Sequence, residues 1–540
     1  MNVLKYIYIY IIMKSKKNLL RNENLNNSKI IRIKNGERYE KNGWTYISVK
    51  GTSKECGYAN GYLLSAEMQE IFRMLDFNIM NNFGYTRDFL SDVIGESFKP
   101  QIKNNYPEIY EELEGIVDGA NQGVKDNKHK HKHHQAKHFN LNDIILWNCN
   151  TSIDYMMGSL PSLVHNNVKL NAKYGHMFSN EAAGSASGQH HGEGGGGGGG
   201  KKNGSFGQRG PGADRCTAFI AVGSYTKDGK IVCAHNSFDN FLDGQYFNIM
   251  LDIQPKKGYR MLMQAAPGSI SSGTDFYVTS GGLICTETTI GGFNKFILKD
   301  PICCRIRQAM QFENTLDGCV RALKYNNSGD YANSWLIGDT NTNTIMRIEL
   351  GLEYVNVEKK TDGYFIGFNA ADDPRIRNLE CENNGYYDIR RHQGARRVRL
   401  TELMEEYKGK IDVAIGEQVM ADHYDVYLKK ENPSSRTCCG HYELDDRAFM
   451  SQADRPKPYQ PRGALDGVVS DTAMAKRMAL SARWGSSCGK AFDKTAFCKE
   501  HIQWNDQEPY LRDRPSEPWT EFTVSNNIIK QITGKMTRKK

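Results

Sequence analysis

Apolar and polar positions change their spacing several times along this chain, and each change predicts an element. Residues 14–36 show no period and read as disordered. From Asn42-Gly43 the run Trp44-Thr45-Tyr46-Ile47-Ser48-Val49 alternates and is β-branched, which predicts a strand. A helical pattern follows from Leu64 to about Met80. Ile109, Leu113, Ile116 and Val117 share one face of a second helix over 106–122, and a third is predicted over 142–157. After a gap, Cys216–Gly223 is an apolar run, Lys227-Asp228-Gly229 a turn, and Ile231-Val232-Cys233-Ala234 a second run, together a β-hairpin. Strands dominate to about residue 370, with one helix around Arg305–Tyr325. The chain returns to a helical pattern over 390–430 and is loop-rich over 431–520. No internal repeat is evident.

These shifts divide the chain into five parts: a basic tail or weak signal segment (1–36), a mostly helical segment (37–178), a low-complexity linker (179–215), a β-rich core (216–524) and a basic tail (525–540). The linker is Gly, Ser, His and Lys, with unbroken glycine from Gly194 to Gly200. Lys201-Lys202 after it is no phosphate loop, because the Ser or Thr and the strand–loop–helix context are missing. The tract from Lys128 to His134 reads as a solvated insertion between helices, with metal binding as the alternative.

Composition narrows the class. At 540 residues the chain calls for two domains or one large layered fold, and 28 Tyr with 22 Phe suit a sheet-rich protein. The net charge of +8 belongs to the tails: residues 1–36 carry eight Lys or Arg against one Glu, and 525–540 carry five with no acid. The body is slightly acidic, which argues against a nucleic-acid groove. The 13 cysteines include the adjacent pairs Cys303-Cys304 and Cys438-Cys439 but no zinc-finger spacing, so no metal or other cofactor is expected. The apolar run Val3–Ile12 is too short to span a bilayer, and Lys5 interrupts it. Sequons at Asn26, Asn150, Asn203 and Asn326 permit glycosylation on an export route; a cytoplasmic location stays open.

The candidate chemistry centres on Cys216, where linker gives way to strand. A cysteine opening a strand is often a small buried apolar residue. Cleavage of the Arg215–Cys216 bond would instead give it an α-amine, which titrates near pH 8 and can act as general base to its own thiol. The text downstream favours the second reading. It runs His235-Asn236-Ser237-Phe238-Asp239, Pro267-Gly268-Ser269-Ile270, Gly273-Thr274-Asp275-Phe276-Tyr277, Gly281–Gly291 and Ser328-Gly329-Asp330-Tyr331-Ala332-Asn333-Ser334-Trp335-Leu336.

This ordered set resembles the phospholipase B-like proteins of the N-terminal-nucleophile hydrolase superfamily, and is similar to the penicillin acyltransferase and bile-acid hydrolase branch. Gly57-Tyr58-Ala59-Asn60-Gly61 resembles the family's propeptide-side segment. The resemblance implies an α+β, four-layer αββα fold, self-cleavage before Cys216, and two pieces that stay associated. It implies that Asn333 donates to the oxyanion, with His235 and Asn236 as catalytic or orienting groups. Asp239, Glu287 and Thr289 are expected to bind or orient substrate: Asp239 is one position out of register with the acyltransferase branch, and Thr289 stands where bile-acid hydrolases carry Asn. Arg305, Arg307 and Arg436 are conceivable headgroup ligands but read better as ion-paired residues. The implied reaction is hydrolysis of an acyl ester or amide, with fatty-acid release from glycerophospholipids foremost. An amide-specific acylase or acyltransferase and a non-catalytic metal-binding protein are the alternatives.

Overall fold

The computed structural model describes residues 30–126, 137–178, 216–382, 384–446 and 458–524. The His-rich tract, the glycine linker and Arg215 lie outside the described residues. Order begins earlier than the alternation predicts: β1 (Ile31–Ile33) and β2 (Gly36–Lys41) precede β3 (Trp44–Gly51). Asn35 (φ 66) turns β1 into β2, and Asn42-Gly43 (φ 48 and 77) turns β2 into β3. Asn and Gly tolerate these left-handed values, so an Asn-Gly pair closes a tight hairpin. A three-residue strand is too short to show a period, which hid β1.

The predicted hairpin forms as β4 (Cys216–Val222) and β5 (Val232–Asn240), in register from Cys216 opposite Ser237 to Ala221 opposite Val232. Then come β6 (Ile249–Pro255), β7 (Met261–Ala265), β8 (Phe276–Thr279), β9 (Leu283–Thr289), β10 (Asn333–Asp339), β11 (Thr344–Leu350), β12 (Val355–Lys360) and β13 (Gly363–Gly367). The C-terminal third adds β14 (Tyr424–Asp425), β15 (Lys430–Glu431), β16 (Arg462–Ala464), β17 (Asp466–Asp471), β18 (Ala479–Trp484) and β19 (Thr520–Thr523). A ten-stranded sheet has the order β1-β2-β3-β6-β7-β8-β9-β10-β11-β12, and a second runs β13-β4-β5-β17-β18-β19 with β16 beside β5. The region read as loop-rich therefore completes the sheet that carries Cys216. Its strands are short, and β17 is buried almost throughout, so neither gives a clean alternation.

Each sheet buries both faces. Ala218, Ile220, Val222, Ile231 and Cys233 of the second sheet share a core with Ile284, Leu336 and Ile345 of the first. The opposite parity of β4 and β5, Phe219, Ala221, Val232 and Ala234, packs on Leu400, Leu403 and Met404 of the helix His392–Glu406 and on Val419 and Met420 of Val413–Met420. On the far side of the first sheet, Trp335 and Ile337 pack with Ile306, Met310 and Leu323. Those three lie on two helices, Ile302–Phe312 and Leu316–Lys324, where the sequence predicted one. The break is at Thr315, whose side chain accepts from Gly318 N at 3.1 Å and caps the second helix.

The N-terminal segment is built into this architecture. β3 pairs in parallel with β6, from Thr45 opposite Ile249 to Gly51 opposite Pro255. The helix Ser53–Leu63 crosses Pro107–Asp126 backbone to backbone: a Cβ on Gly57 would meet Glu112 O at 2.0 Å, and one on Gly119 would meet Tyr58 O at 2.0 Å. The Gly-Tyr-x-x-Gly segment is thus a packing device. Asn60 within it donates to Ser269 O at 3.1 Å and accepts from Gly268 N at 3.3 Å, fixing the Pro267–Ile270 loop. Among the described residues no helix is long and apolar enough to cross a membrane.

Candidate active site

Cys216 opens β4 and is 2 % exposed. Residues paired across an antiparallel ladder share a face, so Cys216, Ser237, Ala218 and His235 lie on one side of the sheet and Thr217 and Asn236 on the other. The first side faces the ten-stranded sheet. The backbone of Cys216 is held at both ends. Its N–H donates to Asn369 Oδ1 at 3.2 Å, and its carbonyl accepts from Arg396 Nη1. Arg396 also donates to Thr217 Oγ1 at 3.1 Å and, through Nη2, to Asn369 Oδ1 at 2.8 Å. Asn369 is itself fixed: Nδ2 donates to Thr289 O at 2.9 Å, and its φ of 66 is a left-handed value that Asn tolerates. Arg396, on the helix His392–Glu406, is fully buried and lies 5.3 Å from the centre of the Phe238 ring. With Nε also donating to His392 O at 3.2 Å, this buried cation is bonded to four acceptors and is a fixed electrostatic feature.

Glu287, Thr289 and Asn333 do come together. Asn333 pairs with Thr289 across β9 and β10, placing both on the face that carries Glu287 and Trp335. Asn333 Nδ2 donates to Glu287 Oε2 at 2.6 Å, Tyr331 OH donates to Glu287 Oε1 at 3.0 Å, and Tyr331 OH lies 2.6 Å from Thr289 Oγ1. Asn333 Oδ1 is buried without a hydrogen-bond partner. The cluster reaches Cys216 through the Thr289 carbonyl and Asn369. Tyr331 also lines a pocket of about 50 Å³ with Trp147, Phe247, Ser271, Asp275 and Cys303.

His235 and Asn236 separate. His235 sits between the sheets, fully buried, and burial pulls its pKa down to about 3, so its ring is neutral. Asn236 points the other way and donates to Met420 O at 2.7 Å and Cys438 O at 3.0 Å, so the fold spends it on anchoring loops. Asp239 accepts from Asn240 N at 2.7 Å and lies 3.7 Å from Arg462 Nη1. Arg305, Arg307 and Arg436 are in buried ion pairs with Asp330 (3.0 Å), Glu112 (2.7 Å) and Asp425 (2.8 Å), as the sequence reading preferred.

Sequence reasoning missed Asn369, Arg396 and Asp466. Asp466 Oδ1 accepts from Ser237 N at 2.9 Å, beside the partner of Cys216, and Oδ2 accepts from Gln264 Nε2 at 2.6 Å. Burial raises its pKa to about 6. No local motif marks these three residues; only the paired sheets and the helix behind them bring them to Cys216.

Residues 34–366 match the Phospholipase B family profile. Phospholipase-B 81 of Drysdalia coronoides is 27 % identical over 256 residues, covering 42 % of this chain and 43 % of that protein. Phospholipase B of Crotalus adamanteus is 26 % identical over 254 residues (42 % and 43 %). Human phospholipase B-like 1 is 25 % identical over 250 residues (40 % and 41 %). The aligned segments thus span less than half the length of these relatives, whereas the family profile covers well over half of this chain, from β2 through β13. This chain belongs to the phospholipase B family.

Proposed function

We propose that this protein is a self-processing cysteine N-terminal-nucleophile hydrolase that releases fatty acids from glycerophospholipids. The observation that carries the reading is the clamp on Cys216, with Asn369 on its nitrogen and Arg396 on its carbonyl. Two sheets packed face to face, with helices beyond each, fit the four-layer αββα fold of that superfamily.

Processing begins when Cys216 Sγ attacks the Arg215 carbonyl. The C–N bond breaks, the thiol proton ends on the new amine, and the acyl group rests on sulfur as a thioester. Water hydrolyses the thioester, leaving a carboxylate on Arg215 and a free thiol on Cys216. The parallel ladder of β3 and β6 would keep the two pieces together. In the mature site the α-amine takes the Sγ proton, and the thiolate attacks the acyl carbonyl. The alcohol leaves with that proton, and a second water resolves the acyl-enzyme. Asn369 Oδ1, already an acceptor for the Cys216 nitrogen, would aim the amine. The Arg396 cation against the same oxygen favours the uncharged amine, the form that accepts a proton. The oxyanion role expected of Asn333 would require its amide, bonded to Glu287 on the helix-side face of β10 that also carries Trp335, to turn around the strand end toward Cys216. None of these steps draws on a metal or organic cofactor.

The test supplies the processed protein with phosphatidylcholine vesicles and, separately, with N-acyl amides, and measures free fatty acid. Release from the phospholipid by the wild type and none by Cys216→Ala supports the proposal. Release only from the amide assigns the site to an acylase, and transfer to an added amine in place of water makes it an acyltransferase.

A further inference from the structure

Outside the Cys216 site, three segments of the C-terminal third bring four metal-ligating side chains to one point. His423, Cys439, His441 and Cys488 each present one ligand atom, and all four atoms lie within 4.8 Å of one another. His441 Nε2 is 3.3 Å from Cys439 Sγ and 3.4 Å from Cys488 Sγ. His423 Nε2 is buried with no hydrogen-bond partner, and the two imidazole centres are 5.1 Å apart. With bonds of about 2.3 Å to sulfur and about 2.0 Å to nitrogen, the corners of a tetrahedral zinc site stand roughly 3.5 Å apart. Two of the separations are already there.

The surroundings are those of a ligand set. Glu443 Oε1 lies 2.7 Å from His441 Nδ1. A carboxylate there accepts a hydrogen bond from Nδ1–H, which fixes the tautomer and leaves the Nε2 lone pair facing the two sulfurs, an arrangement common behind metal-bound histidines. Lys490 N donates to Cys488 Sγ at 3.4 Å, and such N–H groups stabilise a thiolate. Two thiolates cancel the charge of a divalent cation, so the complete centre is neutral and suits burial; Cys439 and His441 are 0 % and 2 % exposed. Sulfur and imidazole donors select zinc over magnesium or calcium. With four protein ligands no position stays open for substrate.

We infer that His423, Cys439, His441 and Cys488 bind one Zn²⁺ as a closed structural site. The sequence concealed it, because Cys488 stands far from the other ligands and the local spacing is only Cys-x-His. All four residues also lie beyond the stretch that matches the family profile. Binding releases the two thiol protons to solvent. The ion ties the loops at 420–423, 438–441 and 486–488 over the outer face of β5. There Asn236 holds the Met420 and Cys438 carbonyls, and Ser487 Oγ donates to Met420 O at 2.6 Å.

The test uses the full-length chain, washed with a weak chelator and assayed for zinc by mass spectrometry, then exchanged with Co²⁺. One tightly held zinc per chain is expected, with a cobalt spectrum showing sulfur-to-metal charge transfer and tetrahedral d–d bands. Deleting residues 128–134 should leave both unchanged, which separates this site from the His-rich tract. Cys488→Ser should abolish the charge-transfer signature contributed by that sulfur, and Glu443→Gln should weaken zinc about 10- to 100-fold. The inference is overturned by a wild type that retains no metal after the wash, by cobalt bound without thiolate, or by a Cys439–Cys488 disulfide in unreduced peptide maps. Because the spectrum is read on the wild type, a misfolded variant does not blunt the test.

Discussion

Asn369 Oδ1 accepts the backbone N–H of Cys216 at 3.2 Å while also accepting from Arg396 at 2.8 Å. One amide oxygen thus couples the Cys216 nitrogen to a buried cation. The side chain cannot swing away, since its own nitrogen is held by Thr289 O at 2.9 Å. If this clamp orients Cys216, Asn369→Ala and Arg396→Met should each slow processing by about 10- to 100-fold, the equivalent of one charge-assisted hydrogen bond. The rate of fragment appearance on a denaturing gel measures it. Rates equal to wild type in both variants would make the clamp a packing feature only.

Arg307 and Glu112 form a second buried contact, bidentate at 3.0 and 2.7 Å, between the Ile302–Phe312 helix and the long N-terminal helix. Removing one partner strands the other charge in the core. Glu112→Ala or Arg307→Ala should therefore destabilise by about 3–5 kcal/mol, and the double change Glu112→Leu/Arg307→Met by much less. Urea midpoints of the four proteins decide it. A headgroup-binding Arg307 would instead leave stability intact and raise KM.

Two buried groups near Cys216 give opposite dependences on pH. Folding lowers the His235 pKa from 6.5 to about 3, so in that window the unfolded chain binds a proton that the folded chain refuses. Its contribution is full above pH 6.5 and is lost as pH falls. Folding raises the Asp466 pKa from 3.8 to about 6, so the folded chain keeps a proton that the unfolded chain releases. That contribution is full below pH 3.8 and is lost as pH rises through 6. Between pH 4 and 6 the two slopes, each up to about 1.4 kcal/mol per pH unit, cancel. His235→Gln should then lose stability as pH rises from 4 to 6, and Asp466→Asn should gain it. Chemical denaturation at three pH values reads the slopes; equal slopes in both variants would contradict this assignment.

What was legible in the sequence was local. The Cys216 hairpin announces itself because Lys227-Asp228-Gly229 separates two apolar runs, and β4 and β5 pair as that turn requires. Glu287 and Thr289 stand in one motif and Asn333 in another, and strand pairing unites them. Asn236 illustrates a limit of proximity in sequence. It adjoins His235, yet the two-residue period of a strand puts it on the opposite face, where it binds loop carbonyls. Asn369, Arg396 and Asp466 carry no motif, because their meaning depends on contacts across 150 or more positions of chain. Strands β17 and β18 were missed for a related reason: short strands buried on both faces lack the alternation that marks a half-exposed one; β19 does alternate but, at four residues, is too short to show a period.

Self-processing at Cys216 is tested most directly by N-terminal sequencing with intact mass of purified wild type beside Cys216→Ala. We expect a wild-type fragment that begins Cys-Thr-Ala-Phe, still bound to the N-terminal piece under native conditions, and a mutant that stays whole. An uncleaved wild type, or the same cuts through the glycine linker in both proteins, would contradict the self-processing nucleophile and leave Cys216 a buried strand residue.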